Sequence, residues 1–176
     1  SGYVKFVGRD GNSKLVVSGG LANKGYKVFF IWDPAHVEMQ NLEIDGSNVM
    51  KTIEVQSGEL VIKAGTRVKN SAGECVTVSM PAATLRMEGG TVYGQPGTSN
   101  YPAIGVIMGK LYMTGGVIQG VNTGYGIVVA NGSATLTGGT VKDFARGVDK
   151  YMADGELVVG DAVTFANNET DIYLRQ

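Results

Sequence analysis

The apolar positions of this chain fall into a register that repeats about every 23 residues. The segment Leu85-Arg86-Met87-Glu88-Gly89-Gly90-Thr91-Val92 returns as Leu111-Tyr112-Met113-Thr114-Gly115-Gly116-Val117-Ile118 and again as Ala134-Thr135-Leu136-Thr137-Gly138-Gly139-Thr140-Val141. Looser copies begin at Leu15, Val37, Leu60 and Leu157, so successive anchors lie 22, 23, 25, 26, 23 and 23 residues apart. Two positions beyond the anchors stand Val17, Met39, Ile62, Met87, Met113, Leu136 and Val159, all apolar. Five positions beyond, the residue is small in six of the seven copies. Midway to the next anchor runs a second apolar stretch, such as Val28-Phe29-Phe30-Ile31 or Ile127-Val128-Val129. Both stretches alternate or are β-branched, which predicts strands, and neither holds a 3.6-residue period long enough for a helix. The expected class is all-β.

A period near 23 suits either a leucine-rich repeat or a parallel β-helix. The leucine-rich pattern would place Asn or Cys at a fixed offset after the paired apolar residues, where this chain has Gly-Gly. Two or three short strands per turn, broken by Gly, instead predict a single-stranded right-handed parallel β-helix, a solenoid of about seven rungs. With about 4.8 Å between rungs, the stack is about 29 Å long. The Gly pairs at 19–20, 89–90, 115–116 and 138–139 mark one corner of successive rungs. Asn48, Asn122 and Asn168 each follow their anchor by eleven residues, as turn asparagines stacked on one another would. Residues 1–176 read as one β-helix domain. The sequence starts and stops inside strand-like runs and shows no amphipathic capping helix, so it is expected to be a segment of a longer protein whose other rungs or domains cover the ends.

The units "LRMEGGTVYG", "LYMTGGVIQG" and "ATLTGGTVKDF", with the terminal "AVTFANNETDIYL", resemble the GG-T-[VI]-x-G repeats of bacterial surface and secreted β-helix proteins of the pectin-lyase-like superfamily. The resemblance is close from residue 85 to 174 and loose over the first 80. It implies a cell-surface or extracellular setting, in a bacterium or phage, among adhesins, cell-wall proteins and polysaccharide-active enzymes. The motif specifies a coil geometry and transfers no catalytic residue.

Composition narrows the classes further. Gly makes up 27 of 176 residues, about twice the average usage, while 43% of the chain is hydrophobic, which excludes collagen and a disordered Gly-rich linker. Charged residues are only 18% and the net charge is −1, so there is no electrostatic footprint for nucleic acid or an anionic membrane. A lone Cys75 excludes an intrachain disulfide and a Cys-based zinc site, and a lone His36 excludes a multi-His metal centre. No apolar run reaches 18 residues, so no membrane-inserted helix is expected, and no signal peptide is visible. Met39, Met87 and Met113 share the inward column and read as core, as does Cys75.

If the anchor and the residue two beyond it point inward, the positions between and after them face solvent. Those positions collect Glu38, Gln40, Lys63, Arg86, Glu88 and Tyr112, a candidate sugar-binding surface of planar polar groups beside one aromatic ring. The plainer and favoured reading is a cross-strand ion pair between Lys63 and Glu88. Glu38 and Glu88 are two rungs, about 10 Å, apart with Lys63 between them, which fits a pair of hydrolytic carboxylates poorly. The long connection at 94–102 displays Tyr93 and Tyr101, with Tyr125 one rung on, as a second candidate ligand contact. Asp143, Asp149 and Asp154, with Arg146 and Lys150, read as a solvated charged turn. The sequence thus points to a non-catalytic module serving as adhesin, glycan-binding surface or stalk. Its expected partners are a glycan or host glycoprotein, with no catalytic residue, cofactor or metal assigned. A polysaccharide lyase or glycoside hydrolase, with Lys63, Arg86 and Glu88 as candidates, and a phage tailspike segment are the alternatives.

Overall fold

The computed structural model describes residues 2–9, 13–16, 27–32, 35–96, 101–152 and 154–175. Every regular element among them is a strand. The first sheet stacks Tyr3–Val7, His36–Gln40, Gly58–Ile62, Ala83–Met87, Lys110–Met113, Ser133–Leu136 and Glu156–Val159. The second stacks Ser13–Val16, Leu42–Asp45, Arg67–Lys69, Thr91–Tyr93, Val117–Gln119, Gly139–Lys142 and Val163–Ala166. The third stacks Lys27–Ile31, Lys51–Val55, Val76–Val78, Pro102–Val106, Tyr125–Val129, Arg146–Lys150 and Thr170–Leu174. All pairings are parallel, and the chain visits the three sheets in rotation. It is a parallel β-solenoid in which six turns carry the chain from the first strand of the first sheet to the last.

The register makes the apolar columns explicit. Val4, Val37, Leu60, Leu85, Leu111, Ala134 and Leu157 stand one under another. Phe6, Met39, Ile62, Met87, Met113, Leu136 and Val159 form the next inward column, and its five central members are fully buried. The third sheet supplies the facing wall through Ile53, Val76, Ile104, Ile127 and Val148, each 0% exposed. Cys75 is buried among them and its thiol is pushed up to about 12 by that burial.

One expected anchor is displaced. Leu15 belongs to the second sheet, opposite Ile44, and the first rung's anchor is Val4. The apolar run Leu15-Val16 imitates the anchor motif by composition, but pairing is set by which columns continue the core. Val17, Ser18 and the Gly19–Gly20 pair lie outside the described residues.

The later Gly pairs do mark one corner, between the first and second sheets. Gly90, Gly116 and Gly139 have φ of 73°, 87° and 94°. At Gly116 an added Cβ would stand 2.6 Å from the Gly89 carbonyl oxygen of the rung above. Both the dihedral and the approach therefore demand Gly. At the corner between the second and third sheets, left-handed Asn and Asp do this work instead: Asn48 lies over Asn70, and Asn122 over Asp143 over Asn167. The stacked residue of the last rung is Asn167, not Asn168. Asn168 instead uses its side chain to accept from the Phe144 amide and to donate to the Val141 carbonyl. Phe144, the largest fully buried side chain, lies where Cβ atoms at Gly94 and Gly120 would come within 2.6 Å of its ring.

Gly116→Ala is expected to destabilise the chain by at least about 2 kcal/mol, because strain at positive φ and overlap with a carbonyl add. Chemical denaturation of the wild type and the variant measures it.

Candidate functional site

On the outer face of the first sheet the alternation of the strands brings three polar columns side by side. The central one runs Lys5, Glu38, Val61, Arg86, Tyr112. Tyr3, His36 and Glu59 flank it on one side, and Gln40, Lys63 and Glu88 on the other. Glu38 Oε2 lies 3.6 Å from the Lys5 ammonium and 3.1 Å from that of Lys63, and Lys63 reaches on to Glu88 at 4.0 Å. The Lys63 ammonium beside it holds the Glu38 carboxyl below the usual carboxylate range against the opposing effect of desolvation. In return Glu38 raises Lys63. Alongside runs a second chain: His36 Nδ1 is 2.7 Å from Glu59, its ring stacks on Tyr3 at 5.1 Å, and Glu59 also pairs with Arg86. The Arg86 guanidinium lies 4.9 Å over the Tyr112 ring.

The structure therefore gathers Glu38, Lys63 and Glu88 into one ladder and joins Arg86 to Tyr112, with Gln40 on the same face. It adds Tyr3, Lys5, His36 and Glu59, none of which the sequence reading placed on this face. The signal was present, since His36 and Glu59 stand one position before their anchors. Tyr93 lies elsewhere, on the outer side of the second sheet beside Gln119, and Tyr101 opens the approach to the third. The connection between them leaves at the corner of the second and third sheets, a corner that the first sheet does not share. Residues 97–100 of that connection lie outside the described residues.

Ion pairs also tie the rungs together on the other two faces of the upper half. On the second sheet Lys14 is 3.3 Å from Glu43 and 2.9 Å from Asp45, and Lys69 is 3.0 Å from Glu43. On the third, Glu54 receives Lys27 at 2.6 Å, Lys51 at 3.7 Å and the Ser79 hydroxyl at 2.7 Å. Asp45 is the most perturbed of these acids. Burial alone would raise it, but the Lys14 ammonium, the Ser47 amide and the Asn70 side chain outweigh burial and bring it down to about 2.

The acidic cluster of the sixth unit is a solvated turn only in part, at Asp143 and Asp154. Asp143 sits at a corner with φ 62° and accepts from Asn167 at 3.1 Å, while Asp154 lies beyond the strand Arg146–Lys150. Asp149, in that strand, is 0% exposed. Arg146 donates to it at 2.7 Å, and Arg175 grips both its oxygens at 2.9 Å. Burial pushes its carboxyl up, and the two guanidiniums outweigh burial to hold it below the usual range. The arginines are sandwiched in turn, Arg146 3.7 Å over the Tyr173 ring and Arg175 4.3 Å over that of Tyr151. The sequence reading missed Arg175 because it lies 26 residues from Asp149 and only the coil brings them together.

Two measurements follow from these carboxylates. Asp45 ionises at lower pH folded than unfolded, where its value is 3.8, so its contribution is complete above that value. It is lost as pH falls toward about 2. Asp45→Asn should therefore flatten the fall in Tm across that interval in an acid titration. Asp149→Ala leaves two guanidiniums facing a buried void and is expected to cost about 3 kcal/mol in urea unfolding.

No protein-family model matches this chain, and no curated protein or solved structure matches it either.

Proposed function

We propose that this chain is a non-catalytic β-solenoid module of an extracellular or surface-attached bacterial protein. In this reading it works as a rigid stalk whose first-sheet face is offered to a glycan or host glycoprotein. The observation that carries the proposal is the ladder Lys5–Glu38–Lys63–Glu88. General acid catalysis needs a carboxyl held protonated near neutral pH, and Lys63 does the reverse to Glu38. A cation lying between two carboxylates also occupies the space that a sugar ring and its attacking water would need. The same pairs tie rung to rung along the axis, which suits a spacer. The glycan-facing part rests on the groups left accessible at the edge of the ladder. The Glu88 and Arg86 side chains are 47% and 46% exposed, and Tyr112 carries the Arg86 guanidinium on its ring.

Incubation with uronate-containing polysaccharides, with and without calcium, is expected to yield neither unsaturated product nor new reducing ends. Turnover abolished by Lys63→Met would overturn the non-catalytic reading. On a glycan array, hits are expected to weaken about tenfold in the double variant Arg86→Ala, Tyr112→Ala. An array silent for the wild type would leave the stalk role alone.

A further inference from the structure

A broad concavity lies apart from the first-sheet face. It is a trough of about 600 Å³ on the outer side of the third sheet, running parallel to the solenoid axis. The outward central column there reads Glu54, Thr77, Gly105, Val128, Asp149, Tyr173. Gly105 and Val128 form the floor. Pro102 and Tyr125 rise on one side, and Ile107, Ala130 and Tyr151 on the other.

Gly105 is the informative residue. A Gly in mid-strand weakens the sheet by roughly 0.5–1 kcal/mol relative to Ala and needs a reason. Neighbouring strands supply one at Gly126 and Gly147, where an added Cβ would fall 2.4 Å and 2.7 Å from a carbonyl oxygen of the next rung. Gly105 has no such reason. An added Cβ would meet only the Glu74, Pro102 and Ile107 side chains, at 3.5 Å, 3.6 Å and 3.8 Å, in ordinary contact and without positive φ. Neither backbone nor packing asks for Gly here. What Gly105 provides is the depth of the trough.

The two ends of the trough carry opposite charge. At the upper end is Glu74, half-buried and in no ion pair among the described residues. At the lower end Arg175 lines the trough and shares the carboxylate of Asp149 with Arg146, two guanidiniums on one carboxylate among the described residues. The Glu74 side chain leans to the rung of Gly105 and the two guanidiniums meet on Asp149, so the charged groups are about two rung spacings, or about 10 Å, apart, the length of about three residues of extended peptide. Between the ends the floor is carbon. Sugar hydroxyls laid on Gly105, Val128 and Ala130 would lose water without finding partners, whereas an apolar side chain gains from the same burial.

We infer that the third-sheet trough is a docking site for an extended peptide segment, with an apolar residue seated over Gly105, a basic residue at Glu74 and an acidic residue at the Arg146–Arg175 end. The peptide crosses the strands instead of adding to a sheet edge, so its specificity comes from the charges at the two ends and the width between Tyr125 and Tyr151. The inference is independent of the reading of the first-sheet face.

The probes are fluorescein-labelled hexapeptides whose middle carries leucine flanked by lysine on one side and glutamate on the other, in both chain directions. Hexapeptides with lysine or glutamate on both sides of the leucine serve as controls. A random heptapeptide phage library panned on the same protein extends the sequence range. Charge-split peptides are expected to bind about tenfold tighter than like-charged ones by fluorescence polarisation. Gly105→Leu should keep or raise the unfolding midpoint while weakening that binding at least about tenfold. Glu74→Lys should transfer the preference to peptides acidic on both sides of the leucine. The inference is overturned if neither the hexapeptides nor the library yields a ligand sensitive to Gly105→Leu. It is equally overturned if Glu74→Lys leaves the charge preference unchanged, or if oligosaccharides alone bind at the trough.

Discussion

Everything in this molecule depends on the closeness of one rung to the next. Parallel strands hydrogen-bond at about 4.8 Å, and that spacing holds at the corners as well as in the sheets. A corner residue must therefore reverse the chain while its Cα lies against a carbonyl of the rung above. At Gly116 that carbonyl would be 2.6 Å from a Cβ, so the constraint acts on the backbone before any side chain is considered. The Gly-Gly pairs, the left-handed Asn48 and Asn122, and the space cleared around Phe144 are three local answers to it. Once the corners close, the inward columns follow, because each apolar residue is delivered directly beneath its counterpart.

The same delivery governs the outside. Side chains of equal register are held at β-pair distance, so like charges would repel and opposite charges attract along the whole axis. The upper rungs place Lys5 over Glu38, Lys14 over Glu43 and Lys27 beside Glu54, one pair on each face. The lower rungs are held differently. There one buried carboxylate, Asp149, gathers two arginines, and the arginines gather Tyr173 and Tyr151. The first arrangement resists salt poorly, because its pairs are part-exposed, while the second is shielded by burial. The two halves of the solenoid are thus stabilised by electrostatics of different kinds.

How much of this a reader of the sequence can recover is decided by the range of each interaction. Leu85, Leu111 and Ala134 with their Gly pairs announce both the period and the corner, since strand alternation and turn chemistry are local. The ladder of Glu38, Lys63 and Glu88 is legible too, because a fixed period converts sequence offset into spatial neighbourhood. The first rung is not: Leu15 sits at a spacing close to the period, but the core is continued by Val4 after a longer turn. Arg175 on Asp149 and the trough over Gly105 escape for another reason. They depend on the third sheet, where Gly105, Val128 and Asp149, and beside them Pro102, Tyr125 and Arg146, share a register but no chemical likeness.

The paired charges of the upper rungs fix the number of turns between them. Solenoids gain and lose length by whole turns, and an apolar core built of equivalent rungs is indifferent to how many there are. The outer faces here are not indifferent. Excising the single turn that holds Glu38, Glu43 and Glu54 would set Lys14 directly over Arg67 and strip Lys5 of its carboxylate. Removing two turns together would do no better, since Lys5 would then stand over Arg86 and Lys14 over Thr91. The outer faces thus count the rungs, although the core does not.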